Sequence, residues 1–100
     1  MKCAAISAAS SGDNTIVAGV AGKSIRAYGY VVVAGGTVSV TWKDGASTAN
    51  FSGAMPLVVN SGISVATGKE AIFECTAGND LILNNSGAVG VYGHLTYIQN

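Results

Sequence analysis

The sequence predicts an all-β domain: a β-sandwich, folded as a jelly roll of about eight short antiparallel strands. Three observations carry this expectation. Runs rich in Val, Ile, Thr and Tyr are broken by Gly, Asn, Asp and Ser at intervals of roughly 8–12 residues, the rhythm of a sandwich or barrel. Several runs alternate apolar and polar residues with period two. No window sustains the 3.6-residue period of an amphipathic helix. A simpler sandwich or a small barrel is the alternative architecture.

The elements follow in chain order. Residues 2–8 read as a weak first strand, and residues 1–12 can form a flexible N-terminal arm. Ser10, Ser11, Gly12, Asp13 and Asn14 compose a loop. Residues 15–20 form a short strand, turned by Ala21, Gly22 and Lys23 into a longer one over 24–34. Gly35-Gly36 is a two-residue hairpin signal. Residues 37–43 alternate cleanly, with Val38, Val40 and Trp42 on one face and Thr37, Ser39, Thr41 and Lys43 on the other. Asp44-Gly45 ends that strand. Residues 46–55 read as loop with one short strand, and Pro56 marks a sheet edge or a strand start because it has no amide donor for the ladder. Further strands are expected over 57–60, 63–66, 70–75, 80–84 and 88–98, with a turn at 67–69. In the last strand Val89, Val91, Gly93, Leu95 and Tyr97 share one face, and Gly90, Tyr92, His94, Thr96 and Ile98 the other. All 100 residues fit one domain.

Composition narrows the function. Charged residues make up 10% of the chain and the formal net charge is zero, where about 25% charged is usual. A surface so poor in charge stays soluble less readily, which points to partners or sister subunits covering much of it. Lys2, Lys23, Arg26, Lys43 and Lys69 are scattered, so nucleic acid, which needs clustered cations, is not an expected partner. The longest apolar run, residues 30–34, is far too short to span a bilayer, and the alanine-rich start lacks a proper signal-peptide core. No membrane association is expected, and synthesis in a cytoplasm is. There Cys3 and Cys75 are free thiols, with Cys75 packed in a strand.

Each chemical motif fails on spacing or context. Gly22-Lys23-Ser24 resembles the end of a phosphate-binding loop, but the required first glycine is Val17 and a β-branched run follows instead of a helix. His94 is the only histidine, and no serine sits in a nucleophile elbow. The cysteines lack metal-ligand spacing. Glu70 and Glu74 would share a strand face, more as a solvated pair than as an acid–base pair. The two Asn-x-Ser acceptor patterns, at Asn50 and Asn84, have no secretory context. No enzyme activity, cofactor or metal is expected. Arg26, Tyr28 and Tyr30 share one parity on their strand, and tyrosine beside arginine is the composition of an interface anchor. With Tyr92 and His94 on the last strand, they are the candidate interface residues.

Several segments taken together carry a resemblance. They are residues 13–30 (DNTIVAGVAGKSIRAYGY), Trp42-Lys43-Asp44-Gly45, residues 52–57 (SGAMPL), residues 76–81 (TAGNDL) and the ending Gly93-His94-Leu95-Thr96-Tyr97. In this order they resemble small β-rich virion proteins of tailed bacteriophages, of the capsid cement or decoration type. The resemblance implies a protein on the capsid exterior that binds the major capsid protein and stabilises the shell. Its alternative is a tail-fibre, head-fibre or baseplate component that binds a host surface receptor. It transfers no functional residues. A homotrimer is expected by analogy with other jelly rolls, because scarce edge charges leave sheet edges to be covered by copies.

Overall fold

The computed structural model describes residues 1–46, 49–67 and 69–100. Ser47 and Thr48 of the expected 46–55 loop, and Gly68 of the expected turn at 67–69, lie outside the described residues. Among the described residues ten strands form two antiparallel sheets: β1 (Lys2–Ala8), β2 (Gly12–Val17), β3 (Ile25–Ala34), β4 (Val38–Asp44), β5 (Ala49–Asn50), β6 (Met55–Leu57), β7 (Gly62–Ala66), β8 (Phe73–Glu74), β9 (Leu81–Asn85) and β10 (Val91–Gln99). Sheet A has the order β1-β10-β3-β7, with β8 also on β3. Sheet B has the order β2-β9-β4-β5, with β6 also on β4. The two pack face to face as a β-sandwich. Pairing is nested along the chain: β1 with β10, β2 with β9, β3 with β7, and β4 with β6.

The clean alternation of β4 is realised. Val38, Val40 and Trp42 are buried, and Ser39, Thr41 and Lys43 face outward. They meet Ile6, Ala8, Tyr30, Val32, Val91 and Leu95 from sheet A across the core. Four aromatic rings fill one end: Tyr30 stands edge-on to Trp42 at 5.1 Å between centroids, and Phe73 lies 5.7 Å from Trp42 and 4.9 Å from Phe51. Such pairs add about 0.5–1.5 kcal/mol each beyond the area they bury.

Four sequence expectations need correction. Gly35-Gly36 is not a hairpin turn. β3 already pairs with β10 on one side and with β7 and β8 on the other, so it has no open edge for β4, and the glycines carry the chain from sheet A to sheet B. The strand expected over 15–20 starts earlier, because Gly12, Asp13 and Asn14 pair with Asn85, Asn84 and Leu83. The strand expected over 70–75 shrinks to the two residues of β8. The strand expected over 57–60 lies earlier, as β6 over 55–57, because residues 58–60 turn the chain; Pro56, inside β6, sits on the rim of sheet B as expected, where a missing donor costs little.

The segment resembling a phosphate-binding loop is a turn. Lys23 N–H donates to Val20 O at 3.0 Å, Gly22 takes a positive φ of 77°, and strand β3 follows directly. A side chain at Gly19 would run into the backbone of Gly78 and Asn79, so close packing accounts for that glycine. Opposite it, Asp44 ends β4 with its side chain turned inward. Only 5% exposed, its carboxylate accepts from Thr76 N–H at 3.0 Å, Thr76 Oγ1–H at 2.8 Å and Asn79 Nδ2–H at 3.1 Å. It clamps the turn that leads into β9.

Candidate interaction face

A β-bulge decides which residues of β3 face outward. The ladder with β10 steps from Thr96–Gly29 to Tyr97–Ala27 and passes over Tyr28. The extra residue reverses the parity of the strand. Before it, Ile25 and Ala27 point into the core; after it, Tyr30, Val32 and Ala34 do. Tyr30 therefore does not share the outer face with Arg26 as its spacing suggested. It is 5% exposed in the aromatic cluster, and burial raises its phenol above the ordinary value, keeping it neutral.

The other predicted interface residues all reach the surface. Tyr92 is 51% exposed and His94 is exposed two residues further along β10. Arg26 is exposed at the far end of β3, where its Nε–H donates to Glu74 Oε2 at 2.5 Å. Tyr28 is half-buried at the bulge, and Glu74, with a smaller contribution from Tyr28, holds the Arg26 guanidinium above its ordinary pKa. The structure thus separates the predicted set. Tyr92 and His94 sit mid-face. Arg26 and Tyr28 line a shallow cleft of about 360 Å³ at the corner, with Lys69, Glu70, Ala71 and Glu74.

Strand register assembles the face itself. Three outward rows cross sheet A: Cys3–Thr96–Gly29–Ala66, Ala5–His94–Val31–Ser64 and Ser7–Tyr92–Val33–Gly62. None of these twelve positions carries Asp, Glu, Lys or Arg. An ordinary surface, roughly 25–35% charged, would put about three or four there. The absent side chain of Gly29 leaves a depression of about 160 Å³ bordered by Val31, Ser64, Ala66, His94 and Thr96. Beyond the third row, the turn after β6 is bonded to β3, with Asn60 N–H donating to Ala34 O at 2.8 Å. That turn carries Val58 and Val59, both more than half exposed. Val33 and Tyr92 stand opposite each other in the third row, and with Val58 and Val59 they make four of the six large apolar residues exposed on the described chain.

Sheet B is dressed differently. Lys43 Nζ donates to both oxygens of Asp13 at 3.0 and 3.2 Å, and Asn84 Nδ2 donates to Asp13 Oδ1 at 2.7 Å. The Asn84 bond, then Lys43, lower the Asp13 pKa. The outer face of sheet B thus carries charged side chains where the three rows of sheet A carry none. Val31, Val33, Val58 and Val59 were not singled out from the sequence. Val31 and Val33 lie in a continuous apolar run whose inward and outward members are set by the bulge alone.

Glu70 and Glu74 both reach the corner cleft, but Glu74 is paired with Arg26. Among the described residues no three His, Cys, Asp or Glu side chains gather as a metal site. Cys3 is exposed and Cys75 buried, both as free thiols. No protein-family model, curated protein or solved structure matches the chain.

Proposed function

We propose that the chain is a structural protein of a tailed-bacteriophage particle: a capsid cement or decoration protein that binds the outside of the shell as a homo-oligomer and stabilises it. The observation that carries this reading is the outer face of sheet A, whose three rows hold no Asp, Glu, Lys or Arg and expose Tyr92 beside Val33. A surface depleted of charge around an exposed aromatic is the usual composition of a protein-binding surface. The resemblance of the sequence to phage virion proteins supplies the partner, the major capsid protein. A shell binder needs no cofactor and no reacting groups, and many identical copies make modest single contacts sufficient. In this reading the chain is made in the host cytoplasm and ends on the capsid exterior.

The nested strand pairing supports reading the sandwich as a jelly roll, because two sheets formed by wrapping one long hairpin give this order. That architecture keeps the two outer faces independent, one for solvent and one for the shell.

Particles stripped of the protein should lose integrity at a lower temperature, and adding it back should restore them. Val33→Glu should abolish rebinding, while Thr41→Glu on the outer face of sheet B should not. Unchanged heat stability of stripped particles, or a location in the tail, overturns the proposal.

A further inference from the structure

We propose that β1 is a pairing edge for a second copy of this chain, joined antiparallel across a two-fold axis at Ala5, so that sheet A runs on through both copies. This deepens the homo-oligomer part of the reading above and rests on it only for the premise that the chain works in several copies.

The two sheets treat their free edges in opposite ways. An exposed edge strand recruits other strands unless a bulge, a proline, a charge or shortness protects it. In sheet B all four devices appear. β2 is bulged, its ladder passing over Ile16, and carries Asp13; β6 contains Pro56; β5 is two residues long. β1 has almost none. Its seven residues pair with β10 in unbroken register, without bulge or proline, and its one charge is Lys2 at the very end. In an antiparallel ladder alternate residues turn their N–H and C=O groups away from the neighbour. Among the described residues, no other segment bonds the backbone of residues 2–7.

The strand is self-complementary about its centre. Full overlap of residues 2–8 puts Ala5 opposite Ala5, Cys3 opposite Ser7 and Ala4 opposite Ile6. Outward residues then meet outward ones and inward meet inward, as sheet pleating requires. The outward side chains Cys3, Ala5 and Ser7 are small, so a second backbone can approach to strand distance. The two Lys2 side chains fall at opposite ends, about 20 Å apart, well beyond the roughly 8 Å screening length. Because the axis stands perpendicular to the sheet, both uncharged faces point the same way and the seating surface doubles.

The experiment is a molar-mass measurement on the isolated chain, which needs no capsid. Wild type should be a dimer, and Ala5→Lys and Ala5→Glu should each halve the mass, since like charges would face each other across the axis. Mixing the two variants should restore the dimer. Ala5 is exposed, so both should keep the wild-type circular dichroism spectrum. As a second check, Ser7→Cys should give a dimer cross-linked to the native Cys3 under mild oxidation, lost again when Cys3→Ser is added. A monomeric or trimeric wild type, edge variants of unchanged mass, or failure of the mixed pair to re-form overturns the inference. Loss of particle binding with the dimer intact would instead count against the capsid reading.

Discussion

Removing the buried carboxylate of Asp44 tests whether the turn at residues 76–80 is held from beneath. Three donors converge on it: Thr76 N–H, Thr76 Oγ1–H and Asn79 Nδ2–H. Asp44→Ala removes the acceptor that all three share. Each donor stripped of its acceptor costs about 1–3 kcal/mol, with partial relief where water can enter. Only Asp44 is fully buried here; Thr76 is exposed and Asn79 half-buried, so the low end of that range applies and the total is about 3 kcal/mol. A domain of this size is worth roughly 5–15 kcal/mol in all, and each kcal/mol moves Tm by roughly 4–8 °C. Asp44→Ala should therefore melt roughly 12–24 °C lower. Asp44→Asn is the informative partner. Its carbonyl can take the Oδ1 position, still accepting from Thr76 N–H and Asn79, while its amide donates to Thr76 Oγ1. Charge assistance is lost, about 1 kcal/mol, together with the second leg of the Thr76 N–H bond, to Oδ2 at 3.1 Å, so Asp44→Asn should melt between wild type and Asp44→Ala. Thermal melts followed by circular dichroism separate the two. If both variants melt together, or if Asp44→Ala stays within about 0.5 kcal/mol of wild type, as an ordinary surface change would, the clamp is not what holds the turn.

Three further outcomes are expected. Gly93→Ala should prevent stable folding, because a Cβ there would collide with the backbone of Val31 on the neighbouring strand, whereas Gly12→Ala, with open space but a φ of 89°, should cost only about 1 kcal/mol; urea titration measures both. Tyr30→Ala should destabilise by about 3–5 kcal/mol as a core truncation, while Tyr92→Ala should leave stability unchanged and weaken particle binding, and the opposite pattern would refute the bulge assignment. Thiol labelling of the native protein at pH 8 should modify Cys3 and spare Cys75, whose pKa is pushed up to about 12 by burial and by the Asp44 and Asp80 carboxylates. The folded thiol keeps its proton where the unfolded one, with its ordinary value of 9.0, sheds it. That contribution to stability is complete below pH 9 and is lost as pH rises towards 12.

The parts of the fold legible in the sequence were those where one strand keeps one parity. β4 is such a strand: each even residue is inward, so alternation alone identified Val38, Val40 and Trp42 as core. β10 keeps its parity from Val91 to Thr96, which is why Tyr92 and His94 came out on the surface as expected. β3 defeats the same reasoning. The register shift at Tyr28 depends on how β10 lies alongside, and no local pattern marks it. It sent Tyr30 inward and brought Val31 and Val33 out. Gly35-Gly36 misled for a related reason, since a glycine pair permits a tight turn but pairing elsewhere in the sheet decides whether a hairpin follows. Asp44 read as an ordinary turn residue because Asp-Gly is turn chemistry wherever its side chain points, and its donors lie some thirty residues away.

The nesting of the strands has a consequence for the order in which the chain is made. β1 pairs only with β10, and Ala8 is partnered by Val91, 83 residues later. At about 5–20 residues per second of synthesis, the first strand waits roughly 4–17 s for its permanent neighbour. Throughout that interval both of its edges are open. On a message read by several ribosomes, neighbouring nascent chains hold the same strand, charged only at Lys2, at the same time. Under the proposed β1 pairing, copies would meet strand to strand before either has closed, and assembly would begin during translation.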